Sequence, residues 1–321
     1  MAKTVHVMSP VAGFGNRLDL ELVSSLLEQN GFEVTRHPAI DRSKKGRATG
    51  VAKRLLSLRG RFDFNLFLAP IFPEWLPLAR KNILVPNAEG FAQPSWLRHI
   101  DLVLAKTRLT EKIFRNLACR TEFVSFTSED RLDESVPRDE MKFFHSCSSQ
   151  YKGTRRTLET WQRHPEWPRL TTVVNHNETI PAELFELPNV EAIRKPLSND
   201  EVRRLQNEHV FHLCCSEAEG FGHYIMEAMS CRAVPFTSDA PPMNELVQPD
   251  RGFLVACEEE RAPLNQSHRY FIRHASLEQQ VERALQLDPA ERARMGEAGR
   301  AFFLEMNRFF ARRLIEVMKS L

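Results

Sequence analysis

The chain has 321 residues, 42% of them hydrophobic and 27% charged, and a formal net charge of +2. This length suffices for two α/β domains, and the balance excludes a disordered, collagen-like or membrane-embedded chain. No apolar run reaches the ~18–20 residues that a membrane span needs. The opening MAKTVHVMSP lacks the long apolar centre and small-residue cleavage site of a secretory leader, so it reads as a first strand at residues 4–8. After SPVAGFGNR, a helical stretch runs from Leu18 to Asn30 and a second strand covers Phe32–Thr35. Phe64–Leu68, Asn82–Pro86 and Asp101–Ala105 are further strands, followed by a helix near Leu109–Leu117 and a strand at Glu122–Phe126. The alternation predicts a parallel, Rossmann-like sheet. The polar stretch 128–140 (SEDRLDESVPRDE) reads as a linker.

A second α/β run begins at 141–147 (MKFFHSC). A helix follows in KGTRRTLETWQRH, then strands at LTTVV (170–174) and NVEAIR, a helix at Asn199–Asn207 and the strand HVFHLCC. Ala233–Thr237 and Phe253–Val255 complete this sheet, with helices near 276–287 and from Pro289 onward. The six cysteines, at 119, 147, 214, 215, 231 and 257, show no C-x-x-C spacing, and several lie in apolar strands. They read as buried, reduced thiols, with no zinc site, no disulfide and a cytoplasmic location expected.

The densest chemical signal is SEAEGFGHYIMEAMSC, residues 216–231. It follows an apolar strand and precedes helix-forming residues, so Glu219 falls in a turn at the carboxyl end of a strand, where open α/β sheets bind ligands. Gly220 and Gly222 permit close backbone approach, and the N–H groups of the helix's first turn suit a phosphate. Glu227, eight positions after Glu219, lies more than a turn inside the helix. Two carboxylates beside an anion-binding helix end suit a ligand carrying both hydroxyls and phosphates, such as a nucleotide sugar. The plain alternative is a helix start with two solvated glutamates.

This segment resembles the E-x7-E signature of the retaining family 4 (group 1) glycosyltransferases at Ser216, Glu219, Gly220, Phe221, Gly222, Glu227, Ala228, Met229, Pro235, Ser238 and Asp239. The likeness continues through PPMNELV (241–247) and RGFLV (251–255). The chain departs from the family at Arg232, where glycine is usual, and at His223, where an aliphatic residue is commoner. The resemblance implies the GT-B fold: α/β, with two Rossmann-like domains facing across a cleft and a final helix crossing back to the first. Expected boundaries are 1–135 plus about 303–321 for the acceptor-side domain, and 140–300 for the donor domain.

It further implies a metal-independent transferase that retains anomeric configuration and needs no cofactor beyond its nucleotide-sugar substrate. Glu219 would accept hydrogen bonds from the transferred sugar, and Glu227 would bind the ribose diol. Amides near Phe221–His223 would hold sugar and pyrophosphate, and Lys152 would offset charge on the leaving diphosphate. The family's arginine before that lysine is absent, because Cys147 occupies its offset. Either Ser148, Ser149 and backbone amides contact the phosphates, or Arg155 or Arg156 supplies the charge. Gly15 and Arg17, in GFGNR, and Asn87, Glu89 and Lys106, just past strands, are acceptor- or cleft-side candidates; polar loop ends with local bonds are the alternative. The acceptor itself, a glycan, a lipid-linked group or another hydroxyl compound, stays open.

Residues 42–61 carry eight Lys or Arg and no acidic residue. This stretch is either a solvated helix with its loop or a peripheral contact with an anionic inner-membrane face or acceptor. Two rival functions share the scaffold: an inverting transferase or epimerase, and a sugar-nucleotide-binding or scaffold protein with weak or no catalysis.

Overall fold

A computed structural model describes residues 2–10, 14–40, 61–175 and 180–321, with the side chains of residues 14, 38–40 and 140 left aside. The basic segment, apart from Arg61, lies outside the described residues. The chain forms two compact units. Unit 1 comprises Met1–Phe126, Leu264–Ser267 and Asn307–Leu321; unit 2 comprises Thr127–Pro263 and His268–Met306. Residues 127–135 and 303–306, grouped with the first domain in the sequence reading, fall in unit 2.

Unit 1 is built on a parallel six-stranded sheet. Its strands are β1 (Thr4–Pro10), β2 (Glu33–Ile40), β3 (Phe62–Leu68), β4 (Ala79–Val85), β5 (Leu102–Ala105) and β6 (Thr121–Phe123). They lie in the order β2-β1-β3-β4-β5-β6. Helices α1 (Phe14–Gln29) and α2 (Arg108–Asn116) are the crossovers among the described residues, and Thr107 caps α2 by accepting from the Thr110 N–H. Buried Phe67, Phe72, Leu84, Val103 and Phe114 share one core, where Phe91 meets Phe114 edge-on at 5.2 Å.

Unit 2 repeats the plan. Its sheet contains β7 (Asp139–Cys147), β8 (Leu170–Val174), β9 (Val190–Ile193), β10 (His209–Cys214), β11 (Val234–Ser238) and β12 (Phe253–Val255). The order is β12-β11-β10-β7-β8-β9, again parallel throughout. Strands β8, β10 and β11 are buried along their whole length, which is why they read as unbroken runs rather than alternating ones. The helices are α3 (Thr154–Arg163), α4 (Asn199–Glu208), α5 (His223–Ser230), α6 (Met243–Leu246), α7 (His274–Gln286) and α8 (Pro289–Ser320), the last of which belongs to unit 2 up to Met306 and to unit 1 from Asn307. A complete capping box starts α4: Ser198 accepts from the Glu201 N–H, and the Glu201 side chain accepts from the Ser198 N–H. At the centre of the core, Phe143 stacks on Phe211 at 4.9 Å and meets Trp161 edge-on at 5.2 Å.

The strands β13 (Ala262–Leu264) and β14 (Ser267–Arg269) pair as a separate ribbon that the sequence reading missed. Three residues each are too few to display a period. A second difference concerns the expected linker. Asp139 onward is already strand β7, and Thr127, Ser128 and Arg131 are buried. Their polar groups are paired inside unit 2, so a polar composition does not make this segment solvent-facing.

In both sheets the winding direction reverses once, between β1 and β3 in unit 1 and between β7 and β10 in unit 2. The carboxyl ends of strands flanking such a reversal leave a crevice, because their following connections diverge to opposite sides.

Candidate functional site

Two loops leave the reversal point of unit 2, residues 148–153 after β7 and residues 215–222 after β10. They are bound to each other. The Glu217 N–H donates to the Tyr151 carbonyl at 2.7 Å. Gly153 adopts φ +66°, and a Cβ placed there would stand 2.0 Å from the Cys215 carbonyl oxygen. Only glycine fits that approach.

The contact brings Lys152 and Glu219 together. Lys152 Nζ donates to Glu219 Oε1 at 2.5 Å and lies 3.7 Å from the centre of the Tyr224 ring. The two side chains are 14% and 13% exposed, so the pair is largely desolvated yet open to a ligand. Ser216 Oγ also donates to Glu219 Oε1, at 2.5 Å, and stands 2.6 Å from the Tyr224 hydroxyl. Since the serine proton goes to the carboxylate, the Tyr224 O–H donates to Ser216. Burial holds the Tyr224 phenol well above its usual range, which keeps it a donor. Glu219 is thus held by an ammonium and a hydroxyl, an arrangement for accepting hydrogen bonds.

His145 lies directly beneath. It is fully buried in β7, with Nδ1 2.7 Å from the Leu213 carbonyl and Nε2 2.7 Å from Thr154 Oγ1. The carbonyl can only accept, so Nδ1 carries the proton and Nε2 accepts from the threonine. Desolvation, against the opposing bond to Leu213 and reinforced by the Lys152 charge, lowers its pKa to about 4. It ties β7, β10 and the start of α3 together, with both ring nitrogens taken by hydrogen bonds. His212, also fully buried, is lowered by desolvation to about 3. Both rings are neutral in the folded chain but take protons when unfolded below the ordinary value of 6.5. Stability should therefore be complete above pH 6.5 and fall as pH drops from 6.5 towards 4. Melting temperatures across that window test this, with a shallower fall expected for His145→Gln.

Helix α5 begins after Gly222, whose φ of +114° places it in the left-handed region and which supplies no side-chain cap. The first-turn N–H groups remain those of a helix end able to bind an anion. Gly220 and Phe221 are buried in the turn before it. His223 Nδ1 is 2.8 Å from Ser128 Oγ, and its ring meets Phe221 edge-on at 5.6 Å. One turn further, Glu227 is 9% exposed and accepts from Gln206 Nε2 at 2.8 Å. The helix ends at Arg232, which adopts φ +57° as the Ala233 N–H donates to the Ala228 carbonyl. That left-handed cap is the reason glycine is usual here. Ion pairs to Glu134 at 2.9 Å and Glu297 at 2.6 Å hold the arginine in its place.

The other expected residues are distributed as follows. Ser148 is exposed and Ser149 half-buried in the β7–α3 loop. Arg155 is exposed on α3 and donates to Glu159 at 2.8 Å, while Arg156 donates to Glu258 at 2.5 Å and the Ile272 carbonyl at 2.9 Å. Ser149, Arg155, Arg156, Glu217 and Arg269 line a cavity of about 480 Å³ that includes neither Lys152 nor Glu219. Arg269, missed in the sequence, donates from Nε to Glu217 at 2.9 Å and also from Nη2. Nothing in the local spacing announced it, because it comes from the short ribbon. Tyr224 was missed too, although its place in the first turn of α5 put it within reach of Glu219.

In unit 1, Gly15 lies in the first turn of α1 and Arg17 is exposed on it. Asn87 and Glu89 follow β4 and are half-buried. Lys106 is 2% exposed: Nζ donates to Asp19 at 2.5 Å and Asn87 at 2.9 Å, and lies 4.5 Å from the Phe126 ring centre. These partners take up its charge in the interior. Among the described residues, no group of three or more His, Cys, Asp or Glu could hold a metal ion, and no helix is long and apolar enough to cross a membrane.

Facing strand-end loops with an ammonium, a carboxylate and a helix amino end at a sheet reversal suit a ligand that carries both hydroxyls and phosphates. Residues 189–302 match the family described as glycosyl transferases group 1. The matched stretch spans β9 through the first part of α8 and so contains Glu219, Glu227 and all of α5. No curated protein matches the chain. Solved structures share its fold at low identity. Sucrose-phosphate synthase from Thermosynechococcus elongatus superposes with a TM-score of 0.74 at 12% identity, covering 99% of this chain and 98% of its own. A glycosyltransferase from Rickettsia africae gives 0.72 at 12% identity, with 99% and 98% covered. Anabaena HepE, solved in complex with UDP and glucose, gives 0.71 at 14% identity, with 99% and 100% covered. The fold is therefore the α/β GT-B fold of these glycosyltransferases, with two parallel six-stranded sheets.

Proposed function

We propose that the chain is a retaining glycosyltransferase that moves a sugar from a nucleotide-sugar donor to a hydroxyl acceptor. The observation that carries this reading is the meeting of Lys152 and Glu219 at the reversal point of unit 2, beside the amino end of α5. The match to glycosyl transferases group 1 over 189–302 supports it, as does the UDP and glucose bound by HepE.

In this reading Glu219 accepts hydrogen bonds from hydroxyls of the transferred sugar, and the Ser216–Tyr224 chain keeps its carboxylate aimed. The Phe221–His223 amides hold the pyrophosphate and Glu227 takes the ribose diol. Ser148 and Ser149 contact the diphosphate in place of the absent arginine, since Arg155 and Arg156 are engaged with glutamates. As the bond from the anomeric carbon to the diphosphate oxygen breaks, negative charge grows on the leaving group and the Lys152 ammonium stabilises it. The acceptor hydroxyl attacks from the same face, and its proton passes to the departing phosphate oxygen. No protein base is required, and we propose that no metal is either. Asn87 and Glu89, on the strand-end loops of unit 1, are the acceptor-side residues of this proposal; a cytoplasmic location and a peripheral anionic contact through residues 42–61 complete it.

A thermal-shift panel of UDP-, GDP-, ADP- and CMP-sugars tests the donor. At about 100 times its dissociation constant, the true donor should add roughly 2.7 kcal/mol of stability. NMR of the product's anomeric centre then tests retention. No stabilisation by any of the four classes would overturn the reading.

A further inference from the structure

Arg131 is 2% exposed, a rare condition for an arginine unless its donors are satisfied. They are. Nε donates to Gln206 Oε1 at 2.9 Å, Nη1 to Asn199 Oδ1 at 2.7 Å and to Glu129 at 2.9 Å, and Nη2 to the Asn199 carbonyl at 3.1 Å. Arginine has donors only, so Gln206 must present its oxygen to it and its amide nitrogen the other way. That nitrogen donates to Glu227 Oε2 at 2.8 Å. The main chain of the same segment grips the same helix: the Arg131 N–H donates to Ser230 Oγ at 3.0 Å, and Ser230 Oγ donates to the Glu227 carbonyl at 2.8 Å. Asn207 Nδ2 in turn donates to the Arg131 carbonyl at 2.7 Å, fixing the segment against α4.

We infer that Gln206, oriented by Arg131, is a positioning residue that sets the Glu227 carboxylate for the ribose hydroxyls of a nucleoside diphosphate. The inference rests on the donor reading above and adds the source of its ribose selectivity. With Oε2 pinned by the Gln206 amide, Oε1 has a fixed position from which to accept. A glutamate side chain free to rotate would lose much of that preference to rotamer entropy. The buried guanidinium fixes the relay's polarity, since reversing the amide would set its N–H₂ against an arginine donor.

The test is calorimetric binding of UDP, GDP and ADP, each beside its 2′-deoxy counterpart. The wild type should prefer one ribonucleotide over its deoxy form by about tenfold or more, the effect of one hydrogen bond to a charged group. Glu227→Ala should bring that ratio close to one. Gln206→Leu should lower it at least about threefold, and the double variant should add nothing further. If Gln206→Leu does not fold, Gln206→Asn, which withdraws the amide by one methylene, reads the same ratio. A wild-type preference that Glu227→Ala abolishes and the Gln206 variants retain overturns the relay alone. A wild-type ratio near one overturns the relay and the ribose role of Glu227, whereas no binding of any pair overturns the donor reading and the relay with it.

Discussion

Replacing Lys152 with methionine should reduce sugar transfer by about 10²–10³-fold, the scale of removing one electrostatic donor aimed at developing charge. The loss should fall mainly on kcat. In the proposed reaction Lys152 would meet little extra charge in the bound donor but a growing one as the diphosphate departs, and interactions strengthened only in the transition state act on turnover. Glu219→Gln should behave differently. It keeps the size of the side chain but loses the ion pair at 2.5 Å, and its amide N–H₂ cannot accept from the donor sugar. Sugar-dependent affinity should weaken while affinity for the nucleoside diphosphate stays within a few-fold. Steady-state kinetics with calorimetry separates the two. Unchanged kcat in Lys152→Met would remove it from the leaving-group site.

Gly153→Ala should be the most damaging single-methyl change near the site. The added carbon would stand 2.0 Å from the Cys215 carbonyl oxygen, and the backbone at φ +66° disfavours any side chain. A left-handed non-glycine residue costs about 1–2 kcal/mol, and an overpacked contact about 1–3 more. Relief requires the β7–α3 loop to lift from the β10–α5 loop, which would carry Lys152 away from Glu219. Urea unfolding should show a loss of about 2–5 kcal/mol, the sum of those two costs. The stabilisation by donor nucleotide should disappear in the same variant. Retention of both wild-type stability and nucleotide response would mean that the loops do not depend on this close approach.

Much of the site was readable because its chemistry is local in sequence. Glu219, the glycines and Glu227 lie within one strand–turn–helix, where spacing alone sets their order. Lys152 came from the resemblance, as the lysine that follows the first strand of the second half. Gln206, Arg131 and Arg269 could not be found that way, because each acts through a partner far along the chain: Arg131 is 75 positions from Gln206, and Arg269 is 52 from Glu217. The polar run 128–140 misled for a related reason. Composition marks a segment as polar, but whether its groups meet water or one another is decided by tertiary pairing. Arg232 shows the converse: it departs from the family's glycine, yet the fold keeps the left-handed cap and holds the arginine with two glutamates.

The last helix has a consequence for how the chain assembles during synthesis. Phe310, Leu314 and Met318 are buried, Phe310 contacts Phe126 at 4.7 Å, and Arg313 pairs with Glu122 at 2.8 Å, all within unit 1. Residues 307–321 therefore complete a core whose main part ends about 180 positions earlier, at Phe126. At translation rates of about 5–20 residues per second, unit 1 waits roughly 10–40 s for its closing element. Its unfilled apolar surface is exposed during that interval, while unit 2 has nearly all its residues in one stretch. The half of the protein made first is thus the half finished last, and it is the one most in need of chaperone protection at birth.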